Sequence, residues 1–505
     1  MTLDFARAAD VLRGLLPEVV LSAAALLVLL LVAWRHQSPR DQRLAGWASL
    51  AGLLAAGVAV WWLWENGARA AAPGMVAVDA FRFATDALFL VAAALTALVS
   101  LEYLDREGLR VPEYYVLLLC ATVGMMLMAG GEDLMVVFLG LELMSISVYV
   151  LAGINRRDPA SAEAALKYFL LGAFASGFLV YGIALVYGAT GTTTLTQIGL
   201  QVRTHGLEQG VMLLVGLALV LVGFGFKVAA VPFHMWAPDV YDGAPTPVTG
   251  YMATAVKAAA FAALYRVLSE AFGGVGAWRP IVWWLATATM IAGNLIALAQ
   301  RTVKRMLAYS SVAHAGYLLV PIAVGTGAGS AALLFYLFAY TLVTLAAFAL
   351  LAAIGRDGER ELRIDDLAGL ARRRPWLSAA LAICMLSLLG FPGTVGFIGK
   401  WYILLAATAG RQVVLGAILV LTSVVSAGYY LPVIMALYMQ PEPSEAAHAG
   451  VRLGRVAGVV VAAAAAALLV LGVRPNALVE LARSSGSSIA VPAPLTAPGA
   501  TPTGR

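Results

Sequence analysis

Charge is scarce in this chain. Asp, Glu, Lys and Arg make up 12% of its 505 residues, against 61% hydrophobic residues and a mean hydropathy of +0.87. That scarcity excludes a soluble globular protein, and apolar runs long enough to cross a bilayer predict an all-α polytopic membrane protein. Cysteine is nearly absent: Cys120 and Cys384 stand alone in separate apolar runs. This excludes a cysteine-ligated iron–sulfur cluster, a cysteine-rich zinc site and a disulfide framework, and leaves two buried free thiols. No flavin, nucleotide or cluster motif occurs, so no redox centre, cofactor site or metal site is expected in the chain itself. The formal charge of +5 lies mostly in short loops; it bears on topology and gives no support for nucleic-acid binding.

Lysine is the rarest charge. Only five of the 33 basic residues are lysine, and four of the five, Lys167, Lys227, Lys257 and Lys400, fall within strongly apolar stretches. Arginine stays protonated in essentially any protein environment, whereas a lysine taken out of water can release its proton. The distribution therefore points to proton chemistry inside the membrane. Snorkelling is the bland alternative, but it serves side chains near helix ends and not those at mid-span.

Fourteen spans are predicted: 15–34, 45–64, 81–101, 114–130, 134–154, 163–187, 211–236, 248–271, 281–299, 307–325, 330–354, 377–408, 413–438 and 454–473. The first apolar run continues to Trp34 and meets a basic loop, so it reads as a retained span and not as a cleaved signal. The basic residues Arg35, Arg40 and Arg43, Arg156 and Arg157, Arg301 to Arg305, and Arg356 to Arg374 all fall on one face. By the positive-inside rule that face is cytoplasmic, which puts both termini in the periplasm of a bacterial inner-membrane protein. The loop 355–376 is expected to be solvated, and the Ser-, Pro- and Ala-rich tail after Arg474 to be disordered.

The seventh and twelfth spans are broken in similar ways. One carries GFGFK (223–227) followed by Pro232, and the other GFPG (390–393) followed by Gly396, Gly399 and Lys400, so each places a lysine beside a helix breaker. Backbone groups freed by Gly or Pro persist in a membrane only where protein or water satisfies them, and paired interruptions mark an ion site between two repeats. A shift of 168 residues brings the two regions into register. The chain then divides into an N-terminal three-helix segment (1–110), a first inverted repeat (111–272), a second inverted repeat (273–440) and a C-terminal helix with its tail (441–505). Glu142 is the one carboxylate near the middle of a span; it needs a cationic partner, and Lys227 is the natural candidate. The alternative for this pair is a structural bridge between helices. Lys257 lies ten residues into the eighth span with no local acid. His234 and His314 can be either hydrogen-bonded core histidines or proton relays.

These residues carry a family resemblance. AALKYFLLGAFAS (164–176), GFKVAAVPFHMWAPDVY (225–241), APTPVT (244–249) leading to KAAAF (257–261), KRMLAYSSVAHAGY (304–317) and GFIGKWY (396–402) resemble the antiporter-like membrane subunits of proton-pumping NADH:quinone oxidoreductase, respiratory complex I. The likeness covers roughly residues 100 to 440, and within the family the context of His314 and the lysine at 400 resemble the subunit N branch. It implies fourteen helices, two inverted five-helix half-channels, and broken helices seven and twelve. It also implies roles: Glu142 and Lys227 as a modulating pair, Lys257 as the central proton carrier, Lys400 as the exit-side or subunit-linking carrier, and Lys167, His234 and His314 on the hydrophilic axis joining them. NADH, FMN, iron–sulfur clusters and quinone would then belong to partner subunits, with other membrane subunits and the bilayer as neighbours. The segment GFPGTVG (390–396) departs from the family, where a second proline is more usual. The competing readings are a subunit of a multi-chain cation/proton antiporter, a self-contained solute transporter and a structural membrane scaffold.

Overall fold

The computed structural model describes residues 11–35, 39–66, 75–355, 362–441 and 454–489. Eighteen helices organise it: α1 (Leu16–Arg35), α2 (Pro39–Asn66), α3 (Ala80–Arg106), α4 (Glu113–Gly130), α5 (Leu134–Ala152), α6 (Pro159–Thr190), α7 (Leu195–Thr204), α8 (Val211–Val228), α9 (Trp236–Gly243), α10 (Thr246–Glu270), α11 (Trp278–Leu298), α12 (Val303–Val324), α13 (Gly327–Ile354), α14 (Pro375–Leu389), α15 (Val395–Ala409), α16 (Val413–Met439), α17 (Arg455–Val473) and α18 (Asn476–Gly486). Helices dominate because hydrocarbon offers no partner for an open backbone. Among the described residues β-type pairing is confined to isolated bridges, such as Val76 with Gly131.

Local chemistry fixes the helix ends. Asp79, Asp133 and Asp158 cap α3, α5 and α6 by accepting from backbone amides, with Pro159 opening α6 behind its cap. Gly191 and Gly325 close α6 and α12 in the left-handed conformation. Neighbouring helices approach closely through small residues. A side chain at Gly124 would lie 2.4 Å from the Met144 amide of the facing helix, and one at Gly293 2.5 Å from the Ala313 amide. These contacts draw α4 onto α5 and α11 onto α12, the small-residue packing that replaces the hydrophobic effect between helices in lipid. The centre is formed by α10, α12 and α13, which are almost wholly buried, while α1, α6, α16 and α17 turn apolar faces outward.

Thirteen of these helices are long and apolar enough to cross a membrane. The twelfth expected span, 377–408, is broken as expected into two short helices, α14 and α15, separated by the turn at 390–394. The seventh expected span, 211–236, stops early: α8 ends at Val228, Ala229 takes φ +59°, and the chain turns before α9. Two expectations need correction. The basic loop is only partly solvated, because Leu367 and Leu370 are buried and the Gly369 amide donates to the Ala436 carbonyl at 3.0 Å; residues 356–361 lie outside the described residues. Beyond Arg474 the chain forms α18, packed on α13 and α3, where disorder was expected. The rest of that tail, 490–505, lies outside the described residues.

Candidate functional site

The breaks position the lysines. Lys227 occupies the last turn of α8 and is only 2% exposed. Its ammonium donates to Ser145 Oγ at 2.7 Å and to Tyr149 Oη at 3.2 Å, and lies over the rings of Tyr149 and Tyr168 at 5.3 and 5.7 Å. Glu142, Ser145 and Tyr149 follow the i, i+3, i+7 spacing that puts all three on one face of α5. Glu142 accepts a hydrogen bond from Ser176 Oγ on α6 and makes no direct ion pair with Lys227, although its charge acts on Lys227 through space. The expected pairing is thus an interaction at a distance, with Ser145 and Tyr149 standing between.

Lys257 follows a π-helical turn, Met252–Val256, that interrupts the regular ladder of α10. Its ammonium donates to the Ser311 carbonyl at 2.7 Å and to Ser311 Oγ, both on α12. One turn further along α12, His314 places Nδ1 2.7 Å from Tyr336 Oη and Nε2 3.1 Å from Tyr430 Oη, and Tyr430 Oη also bonds Ser310 Oγ. Lys400, on α15, donates to the Leu389 carbonyl at 2.9 Å and to Ser423 Oγ at 2.7 Å, and sits 4.9 Å from the centre of the Tyr317 ring. Leu389 is the last residue of α14, so the break supplies a freed carbonyl at the negative end of a half-helix to a cation.

These contacts run on from one to the next. Tyr168 stacks on Trp236 at 4.4 Å, Trp236 meets Tyr241 edge-on at 5.7 Å, and the Tyr241 hydroxyl faces Ser311 beside Lys257. From Ser310 and Ser311 the path continues through Tyr430 and His314 to Tyr317, which His314 meets edge-on at 5.3 Å, and so to Lys400. Among the described residues none of the three buried amines has a carboxylate in ion-pair contact. Hydroxyls and carbonyls that hold an ammonium can hold the neutral amine too, which makes a row of exchangeable proton sites chemically feasible.

The other two predicted residues lie apart. Lys167 is 41% exposed and pairs with Glu163 at 2.7 Å and Asp239 at 2.9 Å; Arg305 joins the same cluster through Asp239 and Asp242. These groups line an open, polar cavity of about 180 Å³. His234 sits half-buried in the turn between α8 and α9, and its Nδ1 finds no hydrogen-bond partner. The lysine set aside as part of a basic loop, Lys304, is buried, and donates to the Ala244 carbonyl at 2.6 Å. Sequence reasoning also missed the serines and tyrosines that receive the ammonium groups. A signal existed for some of them: Ser145 stands three residues after Glu142, and Ser311 three residues before His314.

Fold and site together define a class: a multi-pass membrane protein whose two interrupted helices hold buried, carboxylate-free amines along one internal row. A family model described as "NADH:quinone oxidoreductase/Mrp antiporter, TM" matches residues 131–426, and the chain belongs to that family. It is 46% identical, over 95% of its length and 94% of the relative's, to NADH-quinone oxidoreductase subunit N of Gemmatimonas aurantiaca. A solved chain of respiratory complex I from Thermus thermophilus is 37% identical, with a TM-score of 0.78 over 92% of this chain and 99% of that one. A chain of the Mrp complex from Dietzia is 25% identical, with a TM-score of 0.80 over 95% and 97%.

Proposed function

We propose that this chain moves protons through the membrane along the row Glu142, Lys227, Lys257, His314 and Lys400, as the antiporter-like subunit N of an NADH:quinone oxidoreductase whose electron transfer takes place in other subunits. The observation that carries the reading is the state of the three buried lysines, each held by hydroxyl or carbonyl oxygens. In a poorly screened interior, each change of charge on one of them alters the proton affinity of the next by Coulomb coupling. A conformational or electrostatic signal at one end can thus drive a sequence of proton transfers. The 37% identity with a complex I chain, against 25% with an Mrp chain, favours the oxidoreductase over the cation/proton antiporter within one family.

The organisation into two inverted repeats is part of the same reading. Adding 168 to the first residues of α4, α5, α6, α8 and α10 gives numbers within four of the first residues of α11, α12, α13, α14 and α16. The second half of the broken helix departs from this, since α15 begins nine residues before the number that α9 gives. Each repeat contributes its broken helix as half of the proton path, with the Arg-rich loops cytoplasmic and both termini periplasmic. In this arrangement Lys167 and Asp239 lie at the cytoplasmic mouth of the first half, and His234 lies at its break. NADH, FMN, iron–sulfur clusters and quinone are the business of partner subunits.

Lys257→Arg tests the reading. Arginine preserves the charge and the donors to Ser311 but does not release a proton. Acidification of inverted membrane vesicles by the assembled complex is expected to be lost while quinone reduction continues. Acidification at the parental rate sinks the proposal.

A further inference from the structure

A second group of buried charges lies at the opposite end of the bundle from the Arg-rich loops, away from the lysine row. Arg82, in the first turn of α3, and Arg266, in the last turns of α10, are both almost completely buried. Arg266 donates to both carboxylate oxygens of Asp79, at 2.8 and 3.0 Å, and to Glu270 at 2.9 Å. Arg82 donates to Glu18 of α1 at 2.6 Å and to the Ala77 carbonyl at 2.7 Å. Glu132, in the turn between α4 and α5, adds a further carboxyl that interacts electrostatically with Glu270 and both arginines. With Asp86, five carboxyls therefore share two guanidiniums at this end of the bundle. The C-terminal segment closes this end, because Ser488 accepts a hydrogen bond from the Phe81 amide at 3.0 Å.

Asp86 is the member left over. It lies one turn beyond Arg82 on α3 and is fully buried, and neither of its carboxyl oxygens has a hydrogen-bond partner. Its nearest cation is Arg82 Nε, at 3.3 Å and without hydrogen-bond geometry, and that guanidinium is already bound to Glu18. The charges acting on Asp86 come from Arg82 and Asp79 of its own helix, Glu18 of α1 and Arg266 of α10. Arg266 is committed to Asp79 and Glu270. Both guanidiniums are thus bound to other carboxylates, and a carboxylate without donors is too costly to bury. Asp86 thus meets the description of an intramembrane acid kept neutral by a bound proton.

We propose that Asp86 is a resident proton-binding site, with Arg82 and Glu18 as the switch that decides its charge. When Glu18 is ionised it occupies Arg82 and Asp86 holds the proton. When Glu18 is neutral, Arg82 is released to Asp86, which then gives up its proton. Transfer of one proton between the two carboxyls exchanges their roles without changing the net charge of the cluster. The site stands on its own geometry, and its existence does not depend on how the lysine row works.

Infrared spectra of the purified, assembled complex at neutral pH test this, because the carbonyl stretch of a protonated carboxylic acid is distinct from the bands of a carboxylate. The wild-type spectrum should contain one such band that Asp86→Asn removes, with assembly intact, since the amide mimics the protonated acid. Glu18→Gln should also remove it, by freeing Arg82 to ionise Asp86. Persistence of every acid band in Asp86→Asn, failure of that variant to assemble, or an undiminished Asp86 band in Glu18→Gln would each overturn the proposal. Loss of proton pumping in Lys257→Arg leaves these spectra unaffected, so the two readings fail separately.

Discussion

A lysine in this protein is defined by the oxygens around it. Lys227, Lys257 and Lys400 meet serine hydroxyls, tyrosines and backbone carbonyls inside the bundle, whereas Lys167 meets carboxylates in an open polar cavity. The first arrangement tolerates loss of the proton and the second resists it. Asp239 shows the consequence at the solvated end. Burial works against its ionisation, but the hydrogen bond and charge of Lys167, with the charge of Arg305, outweigh burial and hold the carboxyl below its ordinary value. A carboxyl depressed in the folded state stabilises fully above its unfolded value, about 3.9, and that contribution disappears as pH falls through the native value. The group is 37% exposed, so screening by solvent keeps the effect small. Asp239→Asn is therefore expected to lower the melting temperature slightly at pH 7, with the gap to wild type closing below about pH 4. Thermal melts at the two pH values check this, and an equal gap at both would contradict it.

Both helix breaks end the ladder beside a lysine, and the second also exposes a carbonyl, that of Leu389, to the amine of Lys400. At the second break Gly390 and Gly393 both adopt φ +88°, a conformation that costs a non-glycine residue about 1–2 kcal/mol. A side chain at Gly390 would come within 3.0 Å of Lys400 Cδ, whereas one at Gly393 would meet nothing within 4 Å. Gly390→Ala and Gly393→Ala should therefore destabilise the complex about equally, but only Gly390→Ala should slow vesicle acidification, by displacing Lys400. Equal transport in both variants would mean that the ammonium is not held where the break places it. This break was legible in the sequence because Gly390, Pro392 and Gly393 announce it. The first was less so, since α8 ends at Val228 and Ala229 follows in a left-handed conformation that nothing in an alanine predicts. Burial was misjudged at Lys167 and Lys304 for different reasons. Hydropathy read along the chain ignores helix length, and α6, with 32 residues, extends about 48 Å against a hydrocarbon core of about 30 Å. Lys167 stands near the start of that helix, where Glu163 and Asp239 meet it in an open polar cavity, while Lys304 tucks its amine under the Ala244 carbonyl of a neighbouring segment. The serine and tyrosine acceptors were not legible because their role arises only where α5 meets α8 and α12 meets α10.

Across the whole molecule the polar groups fall into three layers: the Lys167 cluster at one end, the lysine row inside, and the Arg82 and Arg266 cluster at the other end. The last of these joins parts of the chain far apart in sequence, with α1, α3 and α10 supplying the charges and the segment after α18 supplying Ser488. Composition suggested disorder there because the tail is rich in small polar residues, yet α18 is amphipathic and turns Val479 and Ala482 inward. Its end is tied down where Ser330 Oγ donates to the Gly486 carbonyl at 2.9 Å, and Arg483 lies 6.0 Å from the centre of the Tyr402 ring. The helix therefore straps α13 to α3 without touching the three buried lysines. Ending the chain before Asn476 should lower the melting temperature of the assembled complex, because apolar area on α13 and α3 becomes uncovered. Proton transport per assembled complex should stay close to that of the full chain, because the contacts of Lys227, Lys257 and Lys400 lie elsewhere. The comparison needs the amount of assembled complex measured beside the rate of acidification. A truncated complex that assembles fully but no longer acidifies vesicles would show that the strap belongs to the proton path and does more than hold α13 and α3 together.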